Sequence, residues 1–347
     1  MKIPGSWRLQ RGLRQVRRRV VAHGMVLVYH RVADVSPDPW GLSVSPANFC
    51  EHLAVIRKYG DPLPFAEFPG ILTRRRFARI PVSITFDDGY ADNFYSAKPI
   101  LARYDIPATV FVTTSMLDDR AGFWWDQLSY ILLEMNSLPE TLQLEIEDSA
   151  YSWHLGKTDS GTCGAESRTA NWRAWEAPST ARQIAFRELW QILASLRDDQ
   201  RQQAMNDLYR WAAVDEPSFS GGRTLASSEL VELTRDGLVE VGAHAVTHSS
   251  LARLSLSEQR AEIVESKQQL EALVDYPVTS FAYPFGQKHD YTAETIALLR
   301  ETGYTKGCTV RRALVDSKTD PLEIPRIHVD NCDGDVFAKA FVNWFSI

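Results

Sequence analysis

The chain reads as an α/β protein with a largely parallel sheet, and three observations lead there. Apolar runs of strand length at Met25–Tyr29, Pro81–Phe86, Ala108–Val112, Val239–Gly242, Val278–Ala282 and Leu322–Arg326 are separated by segments of helical period. Parallel strands joined by crossover helices require such an alternation. The helical segments carry start and stop signals. Finally, the residues able to do chemistry, Asp87, Asp88, His244 and His30, fall just past the ends of strand-like runs, which is where barrels of such units place their active sites.

The first element expected is residues 1–24, a basic segment in which Arg8, Arg11, Arg14, Arg17, Arg18 and Arg19 interleave with Trp7, Leu9, Leu13, Val16 and Val20. Leu9, Leu13, Val16 and Val20 share one helical face. Residues 7–20 therefore predict an amphipathic helix with two readings. It lies on an anionic membrane surface, each basic residue contributing about 1 kcal/mol, or it packs in water against the domain. No apolar h-region follows the arginines, so a secretory signal is not expected, and no run of about 18 apolar residues could span a bilayer. The expected location is the cytoplasm, with the inner membrane face as a peripheral site.

Residues 25–347 form the expected main domain. Ser45-Pro46 starts a helix through Phe49, Leu53, Ile56 and Tyr59; Ser257-Glu258 starts another running to about Asp275; a third spans Thr292–Arg300 and stops by Gly303, each with cap residues at its start. Asp92, just after the acidic turn, is expected to cap a helix. From about 118 to 225 the alternation breaks into a Trp-rich helix near Gly122–Glu134, a polar stretch, and helical sequence from Arg182 to Ala213. This predicts an α-rich insertion serving as a lid or wall of the site.

Composition bounds the function. The 347 residues are 44% hydrophobic and 24% charged, ordinary for a globular protein with a sizeable core. Net charge is −6, and no basic stripe exists beyond the first twenty residues, which argues against nucleic acid as a partner. Four scattered cysteines without a CxxC pair suit reduced thiols rather than a disulfide frame or thiolate zinc site.

The chemistry concentrates in two blocks. Thr85-Phe86-Asp87-Asp88-Gly89 delivers adjacent carboxylates at the end of an apolar run and then turns at glycine. At a bending strand end one carboxylate can bind a metal while the other reaches a water beside it. In Val241-Gly242-Ala243-His244-Ala245-Val246-Thr247-His248, two histidines four residues apart follow another apolar run. Two imidazoles and one carboxylate around an ion leave a coordination position open. Asp-Gly also makes turns and histidines also pack in cores, so neither block alone decides.

Together with Phe281-Ala282-Tyr283-Pro284-Phe285-Gly286, and in this order, the blocks resemble the motifs of polysaccharide deacetylases of carbohydrate esterase family 4, which share the NodB-homology domain. The resemblance covers roughly residues 25–117 and 226–330. It implies a distorted (β/α) barrel with an α-rich insertion, and a metal-dependent hydrolase that removes N-acetyl groups from N-acetylhexosamine units of a glycan or lipid-linked glycan. Asp88, His244 and His248 would hold the divalent ion, zinc first, with cobalt, nickel or iron as alternatives. Asp87 would be the general base. Val26-Leu27-Val28-Tyr29-His30-Arg31-Val32 is similar to the branch that deacetylates poly-β-1,6-N-acetylglucosamine, which implies His30 as general acid, with His328 its competitor. Tyr283, Pro284 and Phe285 are candidates for substrate and oxyanion contacts, Phe285 through its backbone N–H. Trp124 and Trp125 either stack on sugar rings or pack in a core. Two departures from the family pattern stand out. Ala245 replaces a Ser or Thr that steadies the histidine loop, so weaker metal affinity is expected. The third block lacks the arginine that pairs with the base, and Arg326 is either that partner or part of a surface pair. The non-enzymatic rival is a carbohydrate-binding protein that keeps the pocket without turnover.

Overall fold

The structure is a computed structural model that describes residues 23–74, 77–119, 121–156, 172–214 and 222–344. The basic segment expected at residues 7–20 lies outside the described residues, as does Cys163. By internal contacts the chain divides into two compact units. One comprises the residues up to Asp34, Ser43–Thr114 and those from Ser227 onward; the other comprises Val35–Leu42 and Ser115–Ala226. Nothing in the sequence marks Val35–Leu42 as belonging with the second.

The first unit is built on a curled sheet whose main strands are β1 (His23–Tyr29), β2 (Ile80–Phe86), β3 (Ala108–Val112), β4 (Val239–Ala243), β5 (Ser280–Ala282), β6 (Lys306–Cys308) and β7 (Ile327–His328). They pair in the order β6-β5-β4-β3-β2-β1, all parallel, and β7 runs parallel along the free edge of β1. A parallel bridge joins Cys308 of β6 to Ile324. The stretch from Ile324 to His328 thus touches both edges of the sheet and closes it into a barrel, which is the α/β architecture expected.

A strand expected over Leu322–Arg326 is displaced to Ile327–His328. Pro325 has no N–H to give a ladder, and the Arg326 N–H instead reaches the Arg311 carbonyl at 3.1 Å. Val26, Phe111, Ala282, Cys308 and Ile324 pack together with Phe65 and Phe68 in one buried cluster. On the other side of β1, Tyr29 meets Phe49 edge-on with ring centroids 5.2 Å apart.

Helix boundaries follow cap chemistry. Ser45 accepts the Asn48 N–H at 3.1 Å and starts the helix Pro46–Tyr59. The helix Leu256–Val274 starts earlier than expected, because Ser255 rather than Ser257 forms the capping box with Glu258. Asp92 makes no cap bond.

The second unit holds helices Trp124–Ser129, Ala181–Ser195 and Asp198–Ala212 and an antiparallel hairpin of Thr141–Ile146 with Ser149–His154. The hairpin occupies the stretch expected to be only polar and variable. Its first strand buries Leu142, Leu144 and Ile146 and exposes the residues between, a two-residue period legible in Thr-Leu-Gln-Leu-Glu-Ile. Among the described residues no helix is long and apolar enough to cross a membrane.

Candidate metal centre and active site

The acidic turn grows directly out of the β1–β2 ladder. The Asp87 N–H donates to the Tyr29 carbonyl at 3.0 Å, which carries the pairing one residue past β2. The backbone then turns left-handed, with φ of 75° at Asp88 and 82° at Gly89. A Cβ at Gly89 would lie 3.2 Å from the Val112 side chain, so both the conformation and the space favour glycine there. The turn sends the two carboxylates to different partners.

Asp88 faces the histidine loop. Its Oδ1 lies 3.5 Å from His244 Nε2 and 3.4 Å from His248 Nε2, all three side chains are buried, and their candidate ligand atoms lie within 4.8 Å of one another. Ligands bound tetrahedrally at about 2.0–2.1 Å are separated by about 3.3–3.4 Å, so the two Asp88–histidine separations suit one small divalent ion. His244 Nδ1 hydrogen-bonds the Ala282 carbonyl at 2.8 Å. A carbonyl only accepts, so Nδ1 carries the proton and Nε2 presents its lone pair toward Asp88. Asp88, Ala245, His248 and Phe285 all have left-handed backbones, with φ between 56° and 75°, and such conformations cluster where structure serves function.

Asp87 has a different partner. Arg326 forks it, Nη1 to Oδ1 and Nη2 to Oδ2, both at 2.6 Å, while Nη1 also reaches the Thr85 hydroxyl at 3.2 Å and Nε donates to the Thr309 carbonyl at 3.0 Å. Arg326 is 0% exposed. Burial by itself pushes the Asp87 carboxyl up, but Arg326, then His244 and His30, more than offset it and hold the group below its usual range. Burial likewise opposes ionisation of Asp88, and the adjacent His244 and His248 imidazoles, with His30, hold it well below its usual range. Burial lowers His244, while Asp87 and then Asp88 raise it above its ordinary value.

A family model described as polysaccharide deacetylase matches residues 74–144 and 203–307, just over half of the sequence and both blocks of the site. The chain belongs to the polysaccharide deacetylase family. A curated relative of this deacetylase-family chain is YxkH of Bacillus subtilis (strain 168), whose name assigns it to the same family. The two are 28% identical over 140 residues, 36% of this chain and 49% of YxkH, so the match spans about half the length of that relative. Among solved structures, the Streptococcus pyogenes deacetylase PplD in complex with acetate aligns with a TM-score of 0.56 at 17% identity, over 91% of this chain and 97% of that one. IcaB from Ammonifex degensii aligns with a TM-score of 0.54 at 17% identity, over 94% of this chain and 98% of its own. At such identities the likeness is one of fold.

The remaining site candidates of this family member divide. His30 follows β1 directly. Its charge contributes to holding both Asp87 and Asp88 down, and its buried Nδ1 has no hydrogen-bond partner among the described residues. His328 lies beside it, ring centroids 5.8 Å apart; burial and then His30 lower its pKa to about 4. Phe285 sets its ring against His248 at 4.8 Å.

The other candidates sit as follows. Tyr283 is fully buried, stacks on Tyr291 and gives its hydroxyl to the Leu322 carbonyl at 2.8 Å and its N–H to the Cys308 carbonyl, so its polar groups are spent inside the core. Pro284 is buried and has no N–H to offer an oxyanion. Trp125 is buried and stacks on Phe123, while Trp124 packs into the second unit's core beside Trp190 and Trp125. Trp125 thus follows the packing reading, and Trp124 is partly buried against the same cluster. Asp92, expected as a cap, instead accepts from Arg31 Nε at 3.0 Å and from the Val32 N–H at 2.8 Å. Sequence reading missed Thr85 and the Ala282 carbonyl. A threonine two residues before Asp87 was the only hint of the first, and a backbone acceptor leaves none.

Proposed function

We propose that the protein is a metal-dependent N-deacetylase that hydrolyses the acetamido group of N-acetylhexosamine units in a glycan or lipid-linked glycan and releases acetate. The observation that carries this reading is the buried Asp88–His244–His248 cluster, with a separately paired carboxylate, Asp87, one residue away. A divalent ion held by the cluster, zinc first, with cobalt, nickel or iron as alternatives, would supply Lewis acidity that polarises the amide carbonyl and acidifies water. Asp87 takes the proton of the attacking water. Arg326 keeps it ionised and fixes its plane, and each carboxylate oxygen retains a lone pair beyond the one Arg326 uses. His30, at the end of β1, protonates the departing amine nitrogen, so the C–N bond breaks to a free amino sugar rather than an amide anion. The Tyr29-His30 placement favours the branch that acts on β-1,6-linked N-acetylglucosamine.

The test is acetate release from β-1,4- and β-1,6-linked N-acetylglucosamine oligomers and from lipid-linked acceptors, with zinc or cobalt added. Release is expected in at least one series, and Asp87→Asn should lower turnover by about 10²–10⁴ while metal uptake persists. Glycan binding without acetate release in any series would assign the non-catalytic carbohydrate-binding role instead.

A further inference from the structure

The loop that carries the two histidines is anchored differently at its two ends. At the first end, the His244 N–H donates to the Val112 carbonyl at 2.9 Å. The His244 carbonyl accepts from Thr113 Oγ1 at 3.2 Å, and the Ala245 carbonyl accepts from the Thr114 N–H at 3.2 Å. The strand β3 and its continuation therefore fix His244. His248 lies beyond β4 in a left-handed conformation, φ 56°, and Ala245 offers no polar side chain to tie the turn between them.

A carboxylate from a neighbouring helix does so instead. Glu262, on Leu256–Val274, accepts the Val246 N–H at 2.7 Å and the Thr247 N–H at 2.9 Å through Oε2, and the Thr247 hydroxyl at 2.7 Å through Oε1. Thr247 Oγ1 also lies 2.8 Å from Ser249 Oγ. Glu262 is only 9% exposed, and a carboxylate is stable in such a place when hydrogen bonds replace its water. All three bonds end on the two residues that precede His248.

We propose that Glu262 is a positioning residue that sets the affinity of the Asp88–His244–His248 site for its divalent ion, by locking the Val246–Thr247 backbone and with it the direction of His248. This inference rests on the metal-site reading given above. When only a fraction of the loop conformations present His248 correctly, the apparent dissociation constant rises in inverse proportion to that fraction. Residues that orient a ligand in this way are typically worth about 10- to 100-fold in metal affinity.

The experiment is titration of zinc into the metal-stripped full chain, read by competition with a chromophoric chelator. Glu262→Ala should bind about 10- to 100-fold more weakly than the parent. Glu262→Gln should stay within about 3-fold, because the amide oxygen can accept both backbone N–H groups while the Thr247 hydroxyl turns to accept from the amide nitrogen. Binding by Glu262→Ala within about 3-fold of the parent would overturn the proposal. So would an equal loss in Glu262→Gln, which would assign the effect to the carboxylate's charge rather than its hydrogen bonds. Circular dichroism of the apoprotein checks folding. Should Glu262→Ala fail that check, Thr247→Val carries the test: about 5-fold weaker binding is expected for one lost hydrogen bond, and an unchanged affinity overturns the clamp. Asp88→Asn locates the titrated site by abolishing uptake. A parent that takes up no zinc would overturn the metal reading itself and this inference with it.

Discussion

Arg326 lies 239 positions after Asp87 in the chain, yet the two form a fully buried, two-bond ion pair. The metal-ligand candidates were legible in the sequence because the chemistry restricts residue type and spacing within short blocks. Arg326 was legible only as one of two alternatives, since nothing in Ile324-Pro325-Arg326-Ile327 points to a partner on another strand. The pair makes a prediction about stability. Arg326→Met leaves a carboxylate buried and unpaired, which should cost about 3–5 kcal/mol in urea unfolding at neutral pH. The sign with pH follows from the depressed Asp87 pKa. The native contribution is fully present above the unfolded carboxylate's value, near 3.9, and is lost as pH falls through the lower folded value. The stabilities of parent and variant should therefore converge on acidification; a gap that widens toward low pH would refute this account of the pair.

At the level of elements, strand ends do the positioning. Four consecutive residues at the end of β1 are tied to the segment that follows β2. The Tyr29 carbonyl takes the Asp87 N–H, the His30 carbonyl takes Asn93 Nδ2 at 2.8 Å, and Arg31 and Val32 both donate to Asp92. This explains why Asp92 does not cap a helix, a role that local sequence suggested and a non-local partner displaced. It also predicts that Asn93→Ala, by freeing the His30 carbonyl, lowers kcat about 10-fold with KM and zinc affinity unchanged. In a His30→Ala background the same change should add nothing, as expected for two residues acting through one step. A second full loss in that background would show that Asn93 acts elsewhere. Strands with continuous apolar runs were readable for a related reason: both their faces are buried, so no polar residue interrupts the pattern. The hairpin of the second unit escaped because its alternation is short and borders polar turns.

For the whole molecule, the ligand candidates come from β2 and β4, and barrel closure brings Arg326 to the same end. An ion that binds only this assembled arrangement stabilises the fold by mass action, about 2.7 kcal/mol at a free concentration of 100 times Kd. Zinc should therefore raise the Tm of the parent in thermal denaturation and a chelator should reverse the shift, whereas Asp88→Asn should not respond. An equal rise in Asp88→Asn would mean that zinc binds elsewhere. The family and barrel class were legible because they depend on the order of blocks and runs. The closure was placed slightly wrong because Pro325 moves the final strand toward the C-terminus.

That closure has a consequence for how the molecule becomes active. The same short piece of chain that seals the ring also delivers the counter-charge for Asp87, so a half-assembled barrel is chemically mute. Any lesion that springs this latch, whether truncation before Ile324 or a frayed edge at β6, should silence the protein without touching Asp88, His244 or His248.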